Sequence, residues 1–207
     1  MITRVLPLCV ALSVLAGCAG MSEQACVTAD WRTVGFEDGT LGRSPGTIGN
    51  YRQACADHGV TPDLDSYRAG HAEGVQSYCR ESNGFQVGRS GAIYQGVCPA
   101  DLEADFIGEY NAGRRLFELE SELHNTEARI ANNYRAQESI KQEITAIGVT
   151  MIASETTVEQ RLQLVTRSAE LGRRYGQLTT ETQQLERDRA LHERELLDYQ
   201  QTLASRF

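Results

Sequence analysis

The residue types that could carry out chemistry in this chain are few and widely separated. Its histidines are His58, His71, His124 and His192, and none stands at the close spacing that a metal site needs. The sequence pairs no serine or cysteine nucleophile with a histidine base. We therefore expect no catalysis, no metal ion and no cofactor.

A basic residue, an apolar run and small residues follow one another at the start of the chain. Arg4 precedes the apolar run from Val5 to Val14, and Leu15-Ala16-Gly17-Cys18 follows it. This order is typical of an export signal, and the run is too short to span a bilayer, which takes roughly 20 apolar residues. An ordinary secretory signal that is cut nearby would have a similar composition. The last four residues, however, resemble the lipobox of bacterial lipoproteins.

The lipobox resemblance implies a compartment and an anchor. It implies that residues 1–17 are a signal peptide that is removed, that Cys18 carries the lipid, and that residues 18–24 form a tether. Several acyl chains would hold the protein to a membrane, because each buried methylene contributes about 0.8 kcal/mol. Ala19 follows the lipidated position, which resembles the lipoproteins sorted to the outer membrane. We expect an outer-membrane lipoprotein that faces the periplasm.

The cysteines that follow Cys18 all lie in the first half of the mature chain. Cys9 falls in the signal, and the other four are Cys26, Cys55, Cys79 and Cys98. Cysteines in an exported chain predict two disulfides, because the compartments outside the inner membrane are oxidising. A zinc site would use close C-x-x-C pairs, which these four do not form. The sequence leaves all three pairings open, and the absence of cysteine after Cys98 indicates a domain boundary.

The charge of the chain excludes one class of partner. Its formal net charge is -8 at pH 7, and no basic patch interleaved with aromatic residues is present. Nucleic-acid binding needs positive charge against the phosphates. We expect no nucleic-acid partner.

The segment 25–113 repeats an aromatic residue followed three positions later by glycine. The repeats are Phe36-Glu37-Asp38-Gly39, Tyr67-Arg68-Ala69-Gly70, Phe85-Gln86-Val87-Gly88 and Tyr110-Asn111-Ala112-Gly113. Gly35 with Gly39, and Gly70 with Gly74, would share one face of a helix. Glycine costs a helix about 1 kcal/mol relative to alanine, so its repeated use indicates close backbone packing or turns.

The order of aromatic, glycine and cysteine residues in this segment resembles a known family. The matching residues are Asp30-Trp31, Gly35, Asp38-Gly39, Gly42, Tyr51, Cys55, Tyr67, Gly70, Gly74, Tyr78-Cys79 and Tyr94-Gln95-Gly96-Val97-Cys98. This combination is similar to the DUF2799 family of proteobacterial envelope lipoproteins. The resemblance supports the compartment and the fold, and it implies no catalytic residue, because no function is assigned to the family.

The composition changes after Pro99 to glutamate, glutamine, arginine and leucine. Two apolar seams follow a heptad spacing, and polar residues such as Asn133, Gln137, Thr182 and Arg189 interrupt them. The first seam is Leu116, Leu119, Leu123, Ile130, Ile140, Ile144, Ile147 and Met151; the second is Leu164, Leu171, Tyr175, Leu178, Leu185, Leu196, Tyr199 and Leu203. Such seams favour paired helices, which we expect to break at Gly148 and to resume with a capping box of Thr156 and Glu159.

The expected fold is therefore mainly α. A small glycine-rich domain, residues 25–113, is stapled by disulfides, and residues 114–207 form a long antiparallel helical hairpin that resembles a coiled coil and whose first helix begins near residue 99. We expect a non-catalytic structural or interaction lipoprotein whose hairpin binds a protein partner or a second copy. The alternative is a module that binds a peptidoglycan fragment or another small molecule, with aromatic residues lining a cleft. Its candidate contacts are Trp31, Asp38, Tyr67, His71, Tyr78 and Tyr94, with Tyr51 beside them.

Overall fold

The structure, a computed structural model, describes residues 21–206. The signal, Cys9 and the predicted lipid site Cys18 lie outside the described residues. The regular secondary structure of the described residues is helical, which confirms the predicted fold class. Its helices are α1 (Glu23–Thr28), α2 (Trp31–Thr40), α3 (Ile48–Ala56), α4 (Leu64–Tyr78), α5 (Glu81–Arg89), α6 (Ala100–Ile152) and α7 (Val158–Ala204), with a 3₁₀ turn at Pro45–Thr47 before α3. Within the described chain, no helix is both long and apolar enough to cross a membrane.

Short polar side chains set where the first helices begin. Ser22, Asp30 and Asp63 precede α1, α2 and α4, and each accepts hydrogen bonds from backbone N–H groups of the first turn. These N–H groups have no partner inside the helix, so an N-cap of this kind stabilises a helix by about 1 kcal/mol. Asp63 thus has the capping role that its turn-like surroundings predict.

The chain forms two compact units. The first comprises the described residues up to Arg80 together with Tyr94–Glu103, and the second comprises Glu81–Ile93 and the chain from Ala104 onward. Both disulfides, Cys26–Cys55 and Cys79–Cys98, lie in the first unit, so the two predicted bridges are confirmed and their pairing is given. The units divide the chain at other points than the predicted boundary at residues 113 and 114, which stays a prediction about independently folding parts.

Glycines bring α2 and α4 into backbone contact in the first unit. A β-carbon on Gly35 would lie 3.0 Å from the backbone nitrogen of His71, and one on Gly74 would lie 2.8 Å from that of Thr40. Contacts advance along both helices in the same direction, from Gly35 beside Tyr67 to Gly39 beside Val75, so the helices are parallel. The shared face predicted for these glycines is therefore a helix contact with no room for a side chain.

The second unit contains an equivalent helix pair. Gly84 and Gly88 of α5 face the backbone of Phe106 and Tyr110 in α6, and Gly113 faces Phe85. The first-helix glycines of the two pairs stand 49 residues apart, as Gly35 and Gly84 do. Equivalent residues of the second helices, such as Gly74 and Gly113, stand only 39 residues apart. This offset is smaller because the first pair has a longer connection between its helices, which contains α3.

The turn that follows the first helix is also the same in both pairs. Gly42 and Gly91 have φ of 67° and 76°, a left-handed conformation that glycine adopts readily. A β-carbon on Gly42 would meet the ring of Tyr78, and one on Gly91 would meet the ring of Phe117. The two helix pairs are thus two versions of one packing unit within this chain.

The C-terminal helices α6 and α7 form the predicted antiparallel hairpin. Near the end of α7, Tyr199 Oη donates to the carbonyl of Ala112, near the start of α6, at 2.9 Å. Near the start of α7, Arg167 pairs with Glu143, near the end of α6, at 2.9 Å. The two helices therefore run antiparallel. The apolar positions of both predicted seams are buried or half-buried, whereas Arg161, a polar residue at the heptad position that precedes Leu164 in the second seam, is exposed. Gln137 Nε2 donates to Thr182 Oγ1 at 3.4 Å in the polar middle of the seam.

The hairpin turn differs in detail from the sequence prediction. The expected break at Gly148 is wrong, because α6 continues to Ile152 and a single glycine costs a long helix only about 1 kcal/mol. The capping box is formed by Thr157 and Gln160 rather than by Thr156 and Glu159. Thr156 Oγ1 instead donates to the Thr150 carbonyl at 2.6 Å and closes the turn.

Shortening one seam residue should weaken the hairpin. Leu171 is 4% exposed and packs with Ile140 and Ile147, so Leu171→Ala should lower the free energy of unfolding by about 2 to 5 kcal/mol. Leu197, which is 57% exposed on the same helix, provides the control, and Leu197→Ala should change stability by less than about 0.5 kcal/mol. Chemical denaturation followed by circular dichroism measures both. Equal effects would contradict the assigned seam.

Candidate functional site

A buried carboxylate, Asp38 on α2, is the centre of a polar cluster in the first unit. Its side chain is 2% exposed and accepts hydrogen bonds from Arg43 Nη1 at 2.8 Å, Tyr51 Oη at 3.2 Å and Tyr67 Oη at 2.7 Å. A buried charge is tolerated only when it is paired and hydrogen-bonded, and here three donors meet that need. Asp38 is therefore the acceptor of a buried hydrogen-bond network rather than a turn residue or a helix cap.

The tyrosines of the cluster are held in their neutral form. Burial, together with the hydrogen bond to Asp38, raises the pKa of Tyr67 well above its ordinary value of 10. Burial and the nearby Asp38 charge raise the pKa of Tyr51 as well. Both hydroxyls thus stay protonated at neutral pH and act as donors to the carboxylate rather than as acids.

Comparison of the two helix pairs shows that the shared packing does not require this cluster. The positions of Asp38 and Tyr67 in the first pair are occupied by Val87 and Phe106 in the second. Phe106 is fully buried there, as Tyr67 is in the first pair. The cluster is therefore a feature of the first pair that the second pair lacks, as is α3 with its Tyr51.

Most of the predicted ligand contacts form the core of the first unit. Trp31, Tyr67 and Tyr78 are buried with Asp38, and the rings of Trp31 and Tyr51 lie 6.0 Å apart. Tyr94 is half-buried, and its hydroxyl accepts from the Cys98 backbone N–H at 2.9 Å and donates to Glu103 at 3.2 Å. Trp31, Tyr51 and Tyr67 thus pack ring against ring in the core.

His71, one of the predicted contact residues, lines a groove in the first unit. It is 6% exposed, and its Nε2 lies 2.7 Å from the carbonyl oxygen of Arg43. Its ring also lies 6.0 Å from that of Tyr67, nearly parallel to it. The groove has a volume of about 290 Å³ and is lined by Pro45, His71, Ala72, Val75, Gln76, Gly96, Val97 and Pro99. We call it the His71 groove.

One serine stands in a spacing typical of hydrolases, which the search for nucleophiles missed. Gly42-Arg43-Ser44-Pro45-Gly46 has the form G-x-S-x-G, but a nucleophile of that kind sits between a strand and a helix. Ser44 instead precedes a 3₁₀ turn, and its Oγ accepts from the Gly46 N–H at 3.2 Å. The hydrogen bonds of the described residues do not join Ser44 to a histidine.

The raised pKa of Tyr67 makes stability depend on alkaline pH. A folded-state pKa above the unfolded value favours the folded form fully below pH 10, and this contribution is lost as pH rises beyond that value. Tyr67→Phe should cost about 1 to 3 kcal/mol at pH 7, since Asp38 loses a donor, and the difference from the original chain should narrow above pH 10. Urea denaturation from pH 7 to 11.5 measures this, and a constant difference would contradict it.

The end of the hairpin carries a second candidate surface. Five of the twelve exposed large hydrophobic side chains of the described residues fall between residues 149 and 165. They are Val149, Ile152, Val158, Leu162 and Val165, with exposures from 49% to 85%, and we call them the tip patch. Val158, Leu162 and Val165 share one face of α7 at four- and three-residue spacing. A cluster of exposed apolar residues at one place is typical of a docking surface.

In the described residues, no group of three or more His, Cys, Asp or Glu side chains comes together as a metal site would require. Comparison with curated proteins and comparison with solved structures each find no match. The family comparison matches residues 30–115, the region of both helix pairs, to a protein of unknown function (DUF2799). This confirms the resemblance seen in the sequence: residues 30–115 match the DUF2799 family.

Proposed function

We propose that this protein is a non-catalytic lipoprotein of the bacterial outer membrane that binds a protein partner through the tip patch. The observation that carries the proposal is the concentration of exposed apolar side chains at the hairpin turn, with Ile152 at 83% and Val158 at 85% exposure. Isolated exposed hydrophobic residues are ordinary, but a cluster of them costs solubility unless something covers it.

The long helices suit a binding arm. A 53-residue helix such as α6 is about 80 Å long at 1.5 Å per residue, so its end stands far from its start. Ion pairs such as Arg129–Glu181 and Arg167–Glu143 lie on the exposed sides of the shaft and favour its solubility. Large exposed hydrophobic side chains also occur on the shaft, at Tyr134, Leu191 and Leu197, but the tip carries more of them within a shorter stretch of chain.

The expected partner is a protein with an apolar cleft that receives a helix end. Apolar residues at four- and three-residue spacing are the anchors that such clefts bind. Two acids, Glu155 and Glu159, lie beside the tip patch at the turn and would be unfavourable against anionic lipid headgroups. A protein cleft is therefore the better match than a membrane surface.

The proposed anchor is the lipid on Cys18. The lipobox resemblance supports it, and the two disulfides are in keeping with an oxidising compartment outside the inner membrane. Cys18→Ser should prevent both lipidation and processing and so stop labelling by radioactive palmitate, whereas an inhibitor of the lipoprotein signal peptidase should leave a labelled, uncut precursor. Unchanged membrane fractionation and unchanged labelling of Cys18→Ser would contradict the anchor.

Photo-crosslinking in living cells tests the tip patch. A photoreactive residue at Ile152 or Val158 should give one dominant protein adduct, while the same probe at Glu138, an exposed position on the shaft of α6, should not. With the probe at Val158, Ile152→Ser together with Leu162→Ser should remove the adduct without loss of the folded hairpin. Adducts that join only two copies, or equal adducts from position 138, would contradict the proposed partner.

A further inference from the structure

We infer that the His71 groove binds an uncharged aliphatic peptide segment and holds one of its amide groups between His71 and Gln76. This site lies in the first compact unit and is independent of the tip patch, so it goes beyond the proposed function. Its walls come from α4, from the turn at Pro45 and from the segment 96–99.

The hydrogen bond of His71 fixes which ring nitrogen is available. A carbonyl oxygen only accepts, so Nε2, at 2.7 Å from the Arg43 oxygen, carries the proton. In the neutral ring, Nδ1 is then an acceptor, and no hydrogen bond to it is found among the described residues. A side chain that is 94% buried thus brings an acceptor to a groove whose other walls are mostly apolar.

The second helix pair shows that the fold itself does not need histidine here. Tyr110 occupies the position of His71, and its hydroxyl donates to the carbonyl of Ala92, the counterpart of Arg43, at 3.1 Å. Tyrosine therefore makes the same contact with the turn. What histidine adds in the first pair is the second nitrogen.

The groove walls indicate the class of ligand. None of the eight lining residues is Asp, Glu, Lys or Arg, and five of them are proline, valine or alanine. A charged ligand would lose its hydration without a compensating partner. An amide group fits the two polar side chains, because the ligand N–H can donate to His71 Nδ1 while the Gln76 amide donates to the ligand carbonyl. At about 290 Å³, the groove suits a small aliphatic side chain rather than a large cofactor.

The groove is also braced before any ligand binds. The Cys79–Cys98 disulfide ties the segment 96–99 to the end of α4. The Gln95 side chain accepts from the Ser44 N–H at 3.1 Å. This hydrogen bond joins the segment 96–99 to the turn at Pro45. Preorganised walls reduce the entropy that a ligand must overcome.

Methyl NMR on the full chain in lipid nanodiscs tests the inference, because Val75 and Val97 place methyl groups in the lining. The probe is N-acetyl-valyl-alanine N-methylamide, and the control is N-acetyl-glutamyl-alanine N-methylamide. The valyl peptide should shift the signals of these two valines saturably, and the glutamyl peptide should bind at least about tenfold more weakly. Equal binding of both peptides, stronger binding of N-acetylglucosamine, or no shift would overturn the inference.

Two variants separate binding from folding. His71→Tyr introduces the residue of the second pair, so it should keep the thermal midpoint and weaken the valyl peptide about tenfold. Gln76→Leu removes the amide on the exposed side of α4 without touching the Arg43 contact, and it should also weaken binding. Unchanged affinity in both variants would overturn the inference, and neither result bears on crosslinking at the tip patch.

Discussion

Alanine at Gly70 should separate α2 from α4 and lower the stability of the first unit by about 3 kcal/mol or more. A β-carbon at this position would lie 2.8 Å from the carbonyl carbon of Arg32 and closer still to its oxygen. The neighbouring atoms are backbone, so no side chain can turn aside to make room. The helices would have to move apart along a contact that four glycines share, Gly35, Gly39, Gly70 and Gly74.

The matched control is Gly49→Ala in the same unit. Gly49 lies in α3 with nothing within 4 Å of a β-carbon built on it, so alanine should leave stability unchanged or raise it by up to about 1 kcal/mol. Thermal unfolding and hydrogen exchange of α2 and α4 peptides measure both variants. If Gly70→Ala were as harmless as Gly49→Ala, the close parallel packing would be wrong.

A glycine-to-alanine substitution in the second pair tests whether the two pairs are alike. Gly88 faces the Tyr110 carbonyl as Gly39 faces that of His71. We therefore expect Gly88→Ala to increase hydrogen exchange in α5 and in the part of α6 around Tyr110, with a magnitude similar to that of Gly39→Ala. A silent Gly88→Ala would mean that the second pair tolerates a separation that the first does not.

The features that the sequence predicts well are those set by periodicity and by residue type. The heptad spacing of Leu116, Leu119 and Leu171 requires a buried face in any helix pair, and these residues are buried. The spacing of Gly35 with Gly39 requires one helix face without side chains, and that face is where α4 packs. Both conclusions depend on residues close together in the chain.

The features that escape the sequence depend on residues far apart in the chain. Asp38 meets Tyr51 and Tyr67 only because α3 and α4 pack beside it, and nothing in its local sequence distinguishes it from a turn carboxylate. The disulfide pairing also depends on contacts between distant residues, since each bridge joins cysteines at least 19 residues apart. The His71 groove joins α4 to residues 96–99, so the spacing of histidines alone could not reveal it.

The continuity of α6 through Gly148 has a local explanation. A glycine within a long helix costs about 1 kcal/mol, which the neighbouring seam residues Ile144, Ile147 and Met151 offset by packing in the hairpin. The helix instead ends where the chain must reverse, and Thr157 then caps α7. Tertiary packing thus overrides a weak local signal at this position.

Removal of the Cys26–Cys55 disulfide should destabilise the first unit by about 2 to 5 kcal/mol. The bridge joins α1 to α3 across 29 residues, and Cys55 is fully buried in the cluster with Trp31 and Tyr67. The double variant Cys26→Ser, Cys55→Ser leaves no free thiol and places a hydroxyl in that cluster. Loss of the bridge frees the unfolded chain and weakens the core that holds Tyr51 against Asp38.

Hydrogen exchange with mass spectrometry measures this effect region by region. Peptides from α1, α3 and α2 should exchange faster in the double variant, while peptides around Leu171 and Leu185, which are buried in the hairpin, should keep their protection. Cys79→Ser with Cys98→Ser is the comparison, because that bridge closes only 19 residues and its loss should act first on the segment 96–99. Loss of protection in the hairpin from either double variant would mean that the disulfide-linked unit and the helical arm fold as one, and the arm would then depend on an oxidising compartment for its structure.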